Sequence, residues 1–385
     1  MYKTKTISPM SVQIKKVETN KDLRTFSKFA NKLYKGSAFY VPTMPVDERN
    51  TLDKKKNAAF EFCDADYFLA YKDGELVGRV AAILNPKANM AWKTKQVRFG
   101  WIDFIDDYEV SEALINQVIA WGRERGMEHI AGPLGFTDFD PEGMLVEGFD
   151  RLGTMAMLYN HPYYMAHMER LGMVKEVDWL EFRITIPEVL PEKFVKMSEI
   201  VKQRYNLKVR KLTHRDIKRE NYGQKFFNLI NECYCNLYGY SLLSEKQIDQ
   251  YVKFYLSVLD LRMASFVENE QGELIAAGVA MPSLSEALQK CGGNLFPTGW
   301  WHLVKNMYIR KPDTLDLLLV GVRPDYQSKG VNAMIFTDLF QVYKDMGFKY
   351  AETSAELETN VKIQQMFGIF EPEQHKRRRI YTKEI

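Results

Sequence analysis

Residues 314–347 read TLDLLLVGVRPDYQSKGVNAMIFTDLFQVYKDMG. The run Leu315–Val322 is apolar and of strand length, and Pro324 ends it because proline has no N–H to donate to a neighbouring strand. From Val331 onwards apolar residues recur every three or four positions, and Gly347 stands where helices commonly end in a left-handed residue. This segment therefore predicts a strand, a loop and a helix in direct succession.

The loop between the predicted strand and helix, Gln327–Asn332, has the features of a phosphate-binding turn. The first amides of a helix lack partners inside the helix and carry the positive end of its dipole, so a glycine turn leading into them suits phosphate oxygens. Gly330 supplies the glycine, and Lys329 supplies a neighbouring positive charge. Such junctions also occur in α/β proteins that bind no phosphate, so these residues alone leave both interpretations open.

The longer segment Val322–Asn332 resembles the acyl-CoA signature of the GNAT acetyltransferase superfamily, which is Arg or Gln, two residues, Gly, one residue, and then Gly or Ala. The resemblance implies that the loop amides hold the pyrophosphate of acyl-CoA or acetyl-CoA and that the preceding strand lies along the pantetheine arm. Asn332 departs from the signature, although asparagine tolerates unusual backbone angles better than other residues with a Cβ. Asn360 resembles the asparagine that opens the next helix in this superfamily. The residues implied to bind the cofactor are Leu319, Val320, Val322, Gln327, Ser328, Lys329, Gly330, Val331, Asn332 and Asn360.

Composition limits the class of protein. The chain has 385 residues, which suits two domains, and its net charge of +3 is too small to predict nucleic-acid binding. The four cysteines do not have zinc-ligand spacing, so we expect no metal site and a reducing compartment. No secretory signal and no apolar run of membrane-spanning length is visible, and we therefore expect a cytoplasmic protein.

The order strand, helix, hairpin, strand, helix, strand occurs twice along the chain. The two hairpins are recognised by turns at Asp73-Gly74 and Gln271-Gly272. We therefore predict a mixed α+β fold of two tandem GNAT-like domains, each a mostly antiparallel twisted sheet with a splayed central strand pair flanked by helices. The predicted parts are an N-terminal tail at 1–11, a first domain at 12–188, a linker region at Pro187–Pro191 and a second domain at 189–385.

The two predicted copies differ at the junction between strand and helix. The first copy has Phe104–Val110 there, with three carboxylates and no glycine. These charges suit the helix dipole themselves and would repel a pyrophosphate, so we predict that the first domain is degenerate and that only the second binds the nucleotide end of the cofactor. The first copy also has an insertion at 135–155 with aromatic and acidic residues. It fits either a lid that attracts an amine or an acidic surface loop.

The predicted strand after the cofactor helix carries the candidate catalytic residues. Tyr350, Glu352 and Ser354 alternate onto one face. In the GNAT fold this strand splays from the cofactor strand, and the gap holds the thioester and the acceptor. Glu352, with Ser354, is therefore the candidate for taking the proton of an attacking amine, and an apolar cleft would raise the pKa of its carboxyl group towards that task. The alternative is an exposed glutamate at a strand end.

Phe367 stands where many acetyltransferases have a tyrosine that protonates the leaving thiolate, and phenylalanine cannot donate a proton. Another tyrosine could serve instead, water could serve, or the domain could have lost catalysis. CoA thiolate is a good leaving group, so loss of a general acid need not abolish turnover. The tyrosines considered are Tyr326, Tyr343 and Tyr381.

Three further segments have alternative interpretations. Phe296–Lys311 contains two tryptophans, spaced aliphatic residues and three cations, which fits a segment on a membrane surface or along an acyl groove, and also an ordinary half-buried helix. The basic run His375–Arg379 has the same ambiguity, with a solvated charge run as the simpler interpretation. The polar stretch Tyr40–Asn57 is interpreted as a solvated loop.

Several short motifs across the chain resemble a family of two-domain bacterial GNAT proteins that includes the bacterial ceramide synthases. This resemblance implies transfer of a fatty acyl group from CoA or acyl carrier protein to the amine of a long-chain sphingoid base, with contact at the periphery of the inner membrane. The alternatives are a small-amine or peptide N-acetyltransferase and a non-catalytic acyl-CoA-binding protein. The motifs are Tyr40-Val41-Pro42, Leu76–Arg79, Gly143–Asp150, Glu358–Asn360 and Arg379–Tyr381.

Overall fold

A computed structural model gives the structure of residues 11–155, 157–309 and 312–385. Residues 1–10 of the predicted tail, and Arg310 and Lys311 of the Trp-containing segment, therefore lie outside the described residues. The chain divides into two compact units. Within the described ranges, the first unit comprises 11–178, 292–294 and 378–385, and the second comprises 179–291 and 295–377.

The described residues form strands and helices in a repeating order. The strands are β1 (Gln13–Lys16), β2 (Asp64–Lys72), β3 (Glu75–Leu84), β4 (Gln96–Phe104), β5 (His129–Gly132), β6 (Met144–Glu147), β7 (Val174–Thr185), β8 (Lys208–Arg210), β9 (Ala264–Glu268), β10 (Leu274–Pro282), β11 (Thr314–Val322), β12 (Tyr350–Thr353), β13 (Glu356–Leu357) and β14 (Glu373–Glu384). The α-helices are α1 (Asn20–Leu33), α2 (Pro45–Leu52), α3 (Pro86–Trp92), α4 (Tyr108–Arg123), α5 (Tyr163–Arg170), α6 (Glu192–Arg204), α7 (His214–Arg219), α8 (Tyr222–Tyr234), α9 (Glu245–Val258), α10 (Ser285–Cys291), α11 (Gly299–Val304), α12 (Asn332–Asp345) and α13 (Val361–Phe367).

The first unit is built on a sheet with strand order β1-β2-β3-β4-β5-β14. The neighbouring strands are antiparallel except for β4 and β5, which are parallel. Asp73 and Gly74 have φ values of 53° and 80°, as the tight turn between β2 and β3 requires. Helix α4 packs on this sheet through a buried apolar stripe that includes Val110, Leu114 and Val118.

The second unit is built on a sheet with strand order β7-β12-β11-β10-β9-β8. Here too one inner pair, β11 and β12, is parallel and the other pairs are antiparallel. Helix α12 packs on the sheet through Ile335 and Leu339, which lie next to Gly278 of β10 and belong to one buried cluster with Leu315 and Ala351. The orders β1 to β5 and β8 to β12 are the same, so the predicted fold class and the tandem repeat are confirmed.

Two strands contribute residues to both units. The C-terminal part of β14 belongs to the first unit, where Tyr381 pairs with Gly132 of β5. The last part of β7 belongs to the second unit, where Thr185 pairs with Tyr350 of β12. Each unit therefore completes its sheet with a strand from the other half of the sequence, and nothing in the sequence pattern had indicated this exchange.

Two interpretations of polar segments were wrong. The stretch Tyr40–Asn57 contains helix α2, and Tyr40, Glu48 and Leu52 within it are buried. The run His375–Arg379 is part of β14, and Lys376 and Arg378 are among its buried residues. The buried charged groups of both segments have partners: Glu48 pairs with Arg79, Lys376 pairs with Glu181, and Arg378 donates to a backbone carbonyl. Such partners make burial of a charge possible, and the charge pattern of the sequence does not show them.

Candidate active site

The central feature of the second unit is the place where β11 and β12 separate. β11 pairs with β10 along its whole length but with β12 only over Thr314–Leu317. Val279 of β10 lies opposite Leu319, and the next residue, Ala280, lies opposite Leu317. Leu318 is therefore the additional residue of a β-bulge at the point of separation. The strand pair is splayed, as the resemblance implied.

Beyond Leu317, side chains contact the edge of β11 that β12 leaves open. Its carbonyl oxygens therefore accept hydrogen bonds from side chains and not from a neighbouring strand. Ser354 Oγ donates to Leu318 O at 3.3 Å, Tyr234 Oη donates to Val320 O at 3.0 Å, and Gln327 Nε2 donates to Val322 O at 3.2 Å.

The loop after β11 leads into α12 with unpaired amides. Ser328 and Gly330 have φ values of 60° and 82°, so the backbone turns through left-handed conformations before the helix starts. No side chain caps α12. Among the described residues, the N–H groups of Ser328, Gly330, Val331 and Asn332 donate to no protein acceptor. Unpaired amides at the positive end of a helix dipole form a seat for an anion.

Gly330 is required at its position for two reasons. Its φ of 82° is unfavourable for residues with a side chain, and a Cβ placed there would lie 3.1 Å from Met197 Sδ and 3.3 Å from Val201 Cγ2 of α6. Beside it, the Lys329 ammonium lies 4.7 Å from the centre of the Tyr326 ring. The predicted loop residues are therefore brought together, and Met197 and Val201 of α6 pack against the loop at Gly330.

The two asparagines of the predicted cofactor set lie at helix starts. Asn332 is the first residue of α12. Asn360 directly precedes α13, and its side chain does not cap that helix. Among the described contacts, none joins Asn360 to the loop. Binding of a cofactor by either residue stays a prediction.

A row of charged side chains crosses the second unit's sheet next to the point of separation. Asp316 of β11 lies opposite Glu352 of β12, and Glu352 lies opposite Arg183 of β7. The buried Lys376 Nζ lies 3.4 Å from Glu181 Oε2 and 3.5 Å from Glu352 Oε2. Glu352 therefore stands beside an ammonium group, whereas the sequence analysis had expected an apolar cleft around it.

Asp316 is the carboxylate that sequence reasoning missed. It is buried, and its Oδ1 forms no hydrogen bond with any described residue. Burial, together with the negative charge of Glu352, raises the pKa of Asp316 to about 7. The available signal was a single aspartate in the otherwise apolar run Leu315–Val322.

The hydroxyl groups considered as proton donors lie in different places. Tyr343 is buried in the core on α12, and burial raises its pKa. Tyr381 belongs to the first unit, and Tyr326 lies next to Lys329. Phe367 is part of the apolar core, so no proton donor stands at its position. Tyr234, which was not considered, places its hydroxyl on the open edge of β11.

An apolar cavity of about 60 Å³ lies between α8, α9 and the sheet of the second unit. Its wall reaches Leu318, the bulged residue, and Leu319. The opposite side includes Phe226, Val252 and Tyr255 from the two helices. The cavity therefore extends from the point of separation into an apolar layer.

In the first unit the corresponding junction is closed by the protein's own charges. Asp107 caps α4 by accepting a hydrogen bond from Glu109 N at 3.0 Å, and it also binds Lys72 Nζ at 2.5 Å. The carboxylate thus occupies the helix start that an anion would need. That the first copy binds no pyrophosphate stays a prediction.

The central strand β4 of the first unit also carries a buried aspartate, and this one is fully partnered. Asp103 accepts hydrogen bonds from Arg79 Nε at 2.7 Å and from Tyr34 Oη at 2.7 Å. Arg79 in turn pairs with the buried Glu48 of α2. The network is enclosed and satisfied, which is typical of structural ion pairs.

The insertion at 135–155 is not a solvated acidic loop. Phe136 and Thr137 are buried, and β6 within the insertion pairs with β14. Burial raises the pKa of Asp138 to about 7 and that of Asp140 to about 6.

Among the described residues, no group of three or more His, Cys, Asp or Glu side chains could hold a metal ion. No described helix combines the length and apolarity needed to cross a membrane.

Comparisons with known proteins support the fold. The chain is 27% identical over 382 residues to protein YghO of Escherichia coli K12, with 94% of this chain and 93% of YghO covered. It is 24% identical over 385 residues to a bacterial ceramide synthase of Caulobacter vibrioides, with 96% of each chain covered. No protein-family model matches the chain.

A solved structure extends this similarity to three dimensions. A tandem GNAT protein from the clavulanic acid biosynthesis pathway superposes with a TM-score of 0.53 at 12% identity, covering 97% of this chain and 98% of that one. The fold is therefore the tandem GNAT fold, and the resemblance found in the sequence is confirmed.

Proposed function

We propose that this tandem GNAT protein is an N-acyltransferase that moves an acyl group from a thioester of CoA, or of acyl carrier protein, to an amine. The observation that carries the proposal is the opening between β11 and β12 at Leu318, followed directly by the loop of unpaired amides. A diphosphate on the loop and an extended arm along the open strand edge would bring a thioester to the opening.

The polar groups that lack fixed partners indicate how the acyl donor would bind. The amides of Ser328, Gly330, Val331 and Asn332 would hold the pyrophosphate, with the exposed Lys329 as a nearby cation. Along the edge from Leu318 to Val322, the amides of the pantetheine arm would donate to the carbonyl oxygens of β11 in place of the Tyr234 and Gln327 side chains. Backbone amides near Leu319 to Val322 would then face the oxygen of the thioester carbonyl.

The chemical step is a direct attack of the amine nitrogen on the thioester carbonyl carbon. The new C–N bond forms, the C–S bond breaks, and the sulfur leaves as a thiolate. The proton of the amine passes to the carboxyl groups of Asp316 and Glu352, with Ser354 at the opening as the first acceptor in line. Lys376 stabilises the negative charge of this carboxylate pair.

The leaving thiolate takes a proton from water or from a nearby hydroxyl group. Tyr234 is the described hydroxyl that contacts the open edge of β11, at 3.0 Å from Val320 O. We expect Tyr234→Phe to lower turnover by less than the range of about 10²–10⁴-fold typical of general acids, because CoA thiolate leaves readily.

The acceptor that we favour is the amine of a long-chain lipid, such as a sphingoid base. The apolar cavity beside Leu318 suits a hydrocarbon chain, and the similarity to the Caulobacter vibrioides ceramide synthase spans nearly the whole of both chains. An acceptor of this kind resides in a bilayer, so the protein would act at the surface of a membrane.

A second candidate is a small-amine or peptide N-acetyltransferase. The small volume of the cavity, about 60 Å³, favours it, because a long chain would require the lining helices to move. A non-catalytic acyl-CoA-binding protein is the third candidate, since Phe367 removes the usual proton donor.

Release of free CoA distinguishes these candidates. The purified full chain is mixed with palmitoyl-CoA or acetyl-CoA and with a panel of amines that includes a sphingoid base, a polyamine and a peptide. We expect thiol release and an amide product, identified by mass spectrometry, with palmitoyl-CoA and the sphingoid base. Release with acetyl-CoA and small amines alone would replace the first candidate with the second. Binding of acyl-CoA without release for any amine would favour the third.

A further inference from the structure

The connection from the hairpin to the central strand differs between the two copies of the fold. In the first unit it comprises residues 85–95, between β3 and β4. In the second unit it comprises residues 283–313, between β10 and β11, and contains α10, α11 and the π-helical turn Lys305–Ile309. The longer connection leaves the sheet at Pro282 and returns at Thr314, the first residue of the strand that carries the candidate site.

This longer connection exposes large apolar side chains. Phe296 is 82% exposed, Tyr308 71% and Ile309 62%. Trp300 and Trp301 are each nearly half exposed, with ring centres 5.9 Å apart. Five such residues within fourteen positions form a contiguous segment, and segments of this kind mark interaction sites.

Within this connection, the stretch Phe296–Lys311 carries charge of one sign only. Between Glu286 and Asp313 the sequence has no carboxylate and four cations, Lys290, Lys305, Arg310 and Lys311. Lys290 forms an ion pair with Glu286 at 3.2 Å. The remaining three cations lie in the segment Phe296–Lys311, which has no carboxylate. This segment thus carries as much net charge as the entire chain.

Aromatic residues with a polar tip combined with cations are the chemistry of segments that lie in the interface of a bilayer. Trp and Tyr place their rings at the level of the headgroups, and Lys and Arg are attracted to an anionic lipid surface. A protein partner would need an apolar surface for the aromatic side chains and carboxylates for the cations, whereas an anionic bilayer supplies both the apolar layer and the negative charge.

We propose that the segment from Phe296 to Ile309 docks the protein on an anionic lipid bilayer. Docking requires no thioester and no amine, so it stands or falls independently of acyl transfer. The strand that carries Leu318 begins at Thr314, five residues after this segment ends in the sequence.

Vesicle flotation of the full chain tests the proposal. The vesicles consist of phosphatidylcholine alone or of phosphatidylcholine mixed with phosphatidylglycerol. We expect flotation with the anionic vesicles that weakens in high salt. Trp300→Ser combined with Trp301→Ser should lower the partition coefficient at least about tenfold, and Lys305→Glu should lower it several-fold. Phe296→Ser combined with Tyr308→Ser gives a second pair at more exposed positions, should the tryptophan pair fail to fold.

The matched control is Leu242→Ser combined with Phe254→Ser, two residues of the second unit with similar exposure elsewhere on its surface. This pair should float as the unchanged chain does. Equal flotation of the tryptophan pair and the control overturns the proposal, as does equal binding to neutral and anionic vesicles. Analytical sedimentation gives a further test. If the unchanged chain is a dimer and the double tryptophan variant is a monomer, the proposal is overturned, because the segment would then be an interface between two copies.

Discussion

The two units share one strand order, yet the buried aspartates on their central strands β4 and β11 have different surroundings. In the first unit Asp103 has Arg79 and Tyr34 as partners, and Asp107 caps its helix. In the second unit Asp316 Oδ1 and the loop amides around Gly330 have no partner among the described residues. A buried polar group left unpaired costs about 1–3 kcal/mol.

This difference separates a structural copy from a functional one. Satisfied groups stabilise the fold and leave nothing for a ligand to bind. Unsatisfied groups lower stability and persist where a ligand or a reacting group completes them. This contrast supports the proposal that the second unit carries the site and that the first serves as a scaffold. Four variants test this contrast, two in each unit.

The largest effect is expected for Arg79→Met in the first unit. The variant leaves Glu48 and Asp103 buried without their cation, and we expect a loss of about 3–5 kcal/mol in the free energy of unfolding. Chemical denaturation measures this loss. The matched control is Arg125→Met, whose half-exposed ion pair with Asp64 should contribute at most about 1 kcal/mol. If both arginine variants lose the same small amount, the network is not structural.

The next effect is expected for Asp316→Asn in the second unit. As a base, Asp316 acts in its deprotonated form, so the rate of acyl transfer should rise with pH through about 7 in the unchanged chain. The variant should be about 10²-fold slower and should lack this rise. A pH–rate profile measures both. Asp313→Asn, at an exposed position just before the strand, should behave as the unchanged chain does.

The same variant has a predicted stability signature. The pKa of Asp316 is raised from 3.8 to about 7, so the folded state binds this proton more tightly than the unfolded state. Its contribution to stability is therefore present at low pH and is lost as pH rises between these two values. Asp316→Asn should gain thermal stability relative to the unchanged chain at about pH 8 but not at about pH 4. A pH-independent difference would contradict the raised pKa.

A smaller effect is expected for Gly330→Ala in the loop. A left-handed alanine costs about 1–2 kcal/mol, and its Cβ would press on Met197, so the affinity for CoA should fall about tenfold. Calorimetry measures this affinity. The control is Gly347→Ala at the other end of α12, where φ is 83° and a Cβ would meet no atom within 4 Å. Unchanged affinity in the Gly330 variant would remove the loop from the site.

The smallest effect is expected for Asp107→Ala in the first unit. Loss of a helix cap should lower the free energy of unfolding by about 1 kcal/mol and leave the affinity for CoA unchanged. Denaturation and calorimetry of the same sample measure the two quantities. A fall in CoA affinity matching that of Gly330→Ala would mean that the first copy also binds the nucleotide.

Much of the fold was predictable because its signals are local. The apolar run of β11, the glycine loop and the period of α12 lie within 34 consecutive residues, and the structure has all three there. The turn at Asp73-Gly74 was predicted for the same reason. The candidate site was predicted in part, since Glu352 and Ser354 lie at the separation of the strands while Asp316 and Tyr234 were missed.

The sequence alone established the tandem repeat, the cofactor-like loop of the second copy and the carboxylates that replace it in the first, because each is written in neighbouring residues. Only the tertiary structure decided which charged side chains are buried and which partners they have. Lys376 meets Glu181, 195 positions away, and so a basic run that resembles a solvated tail becomes a buried strand. Contacts between distant residues set the surroundings of a charge, and no local pattern encodes them.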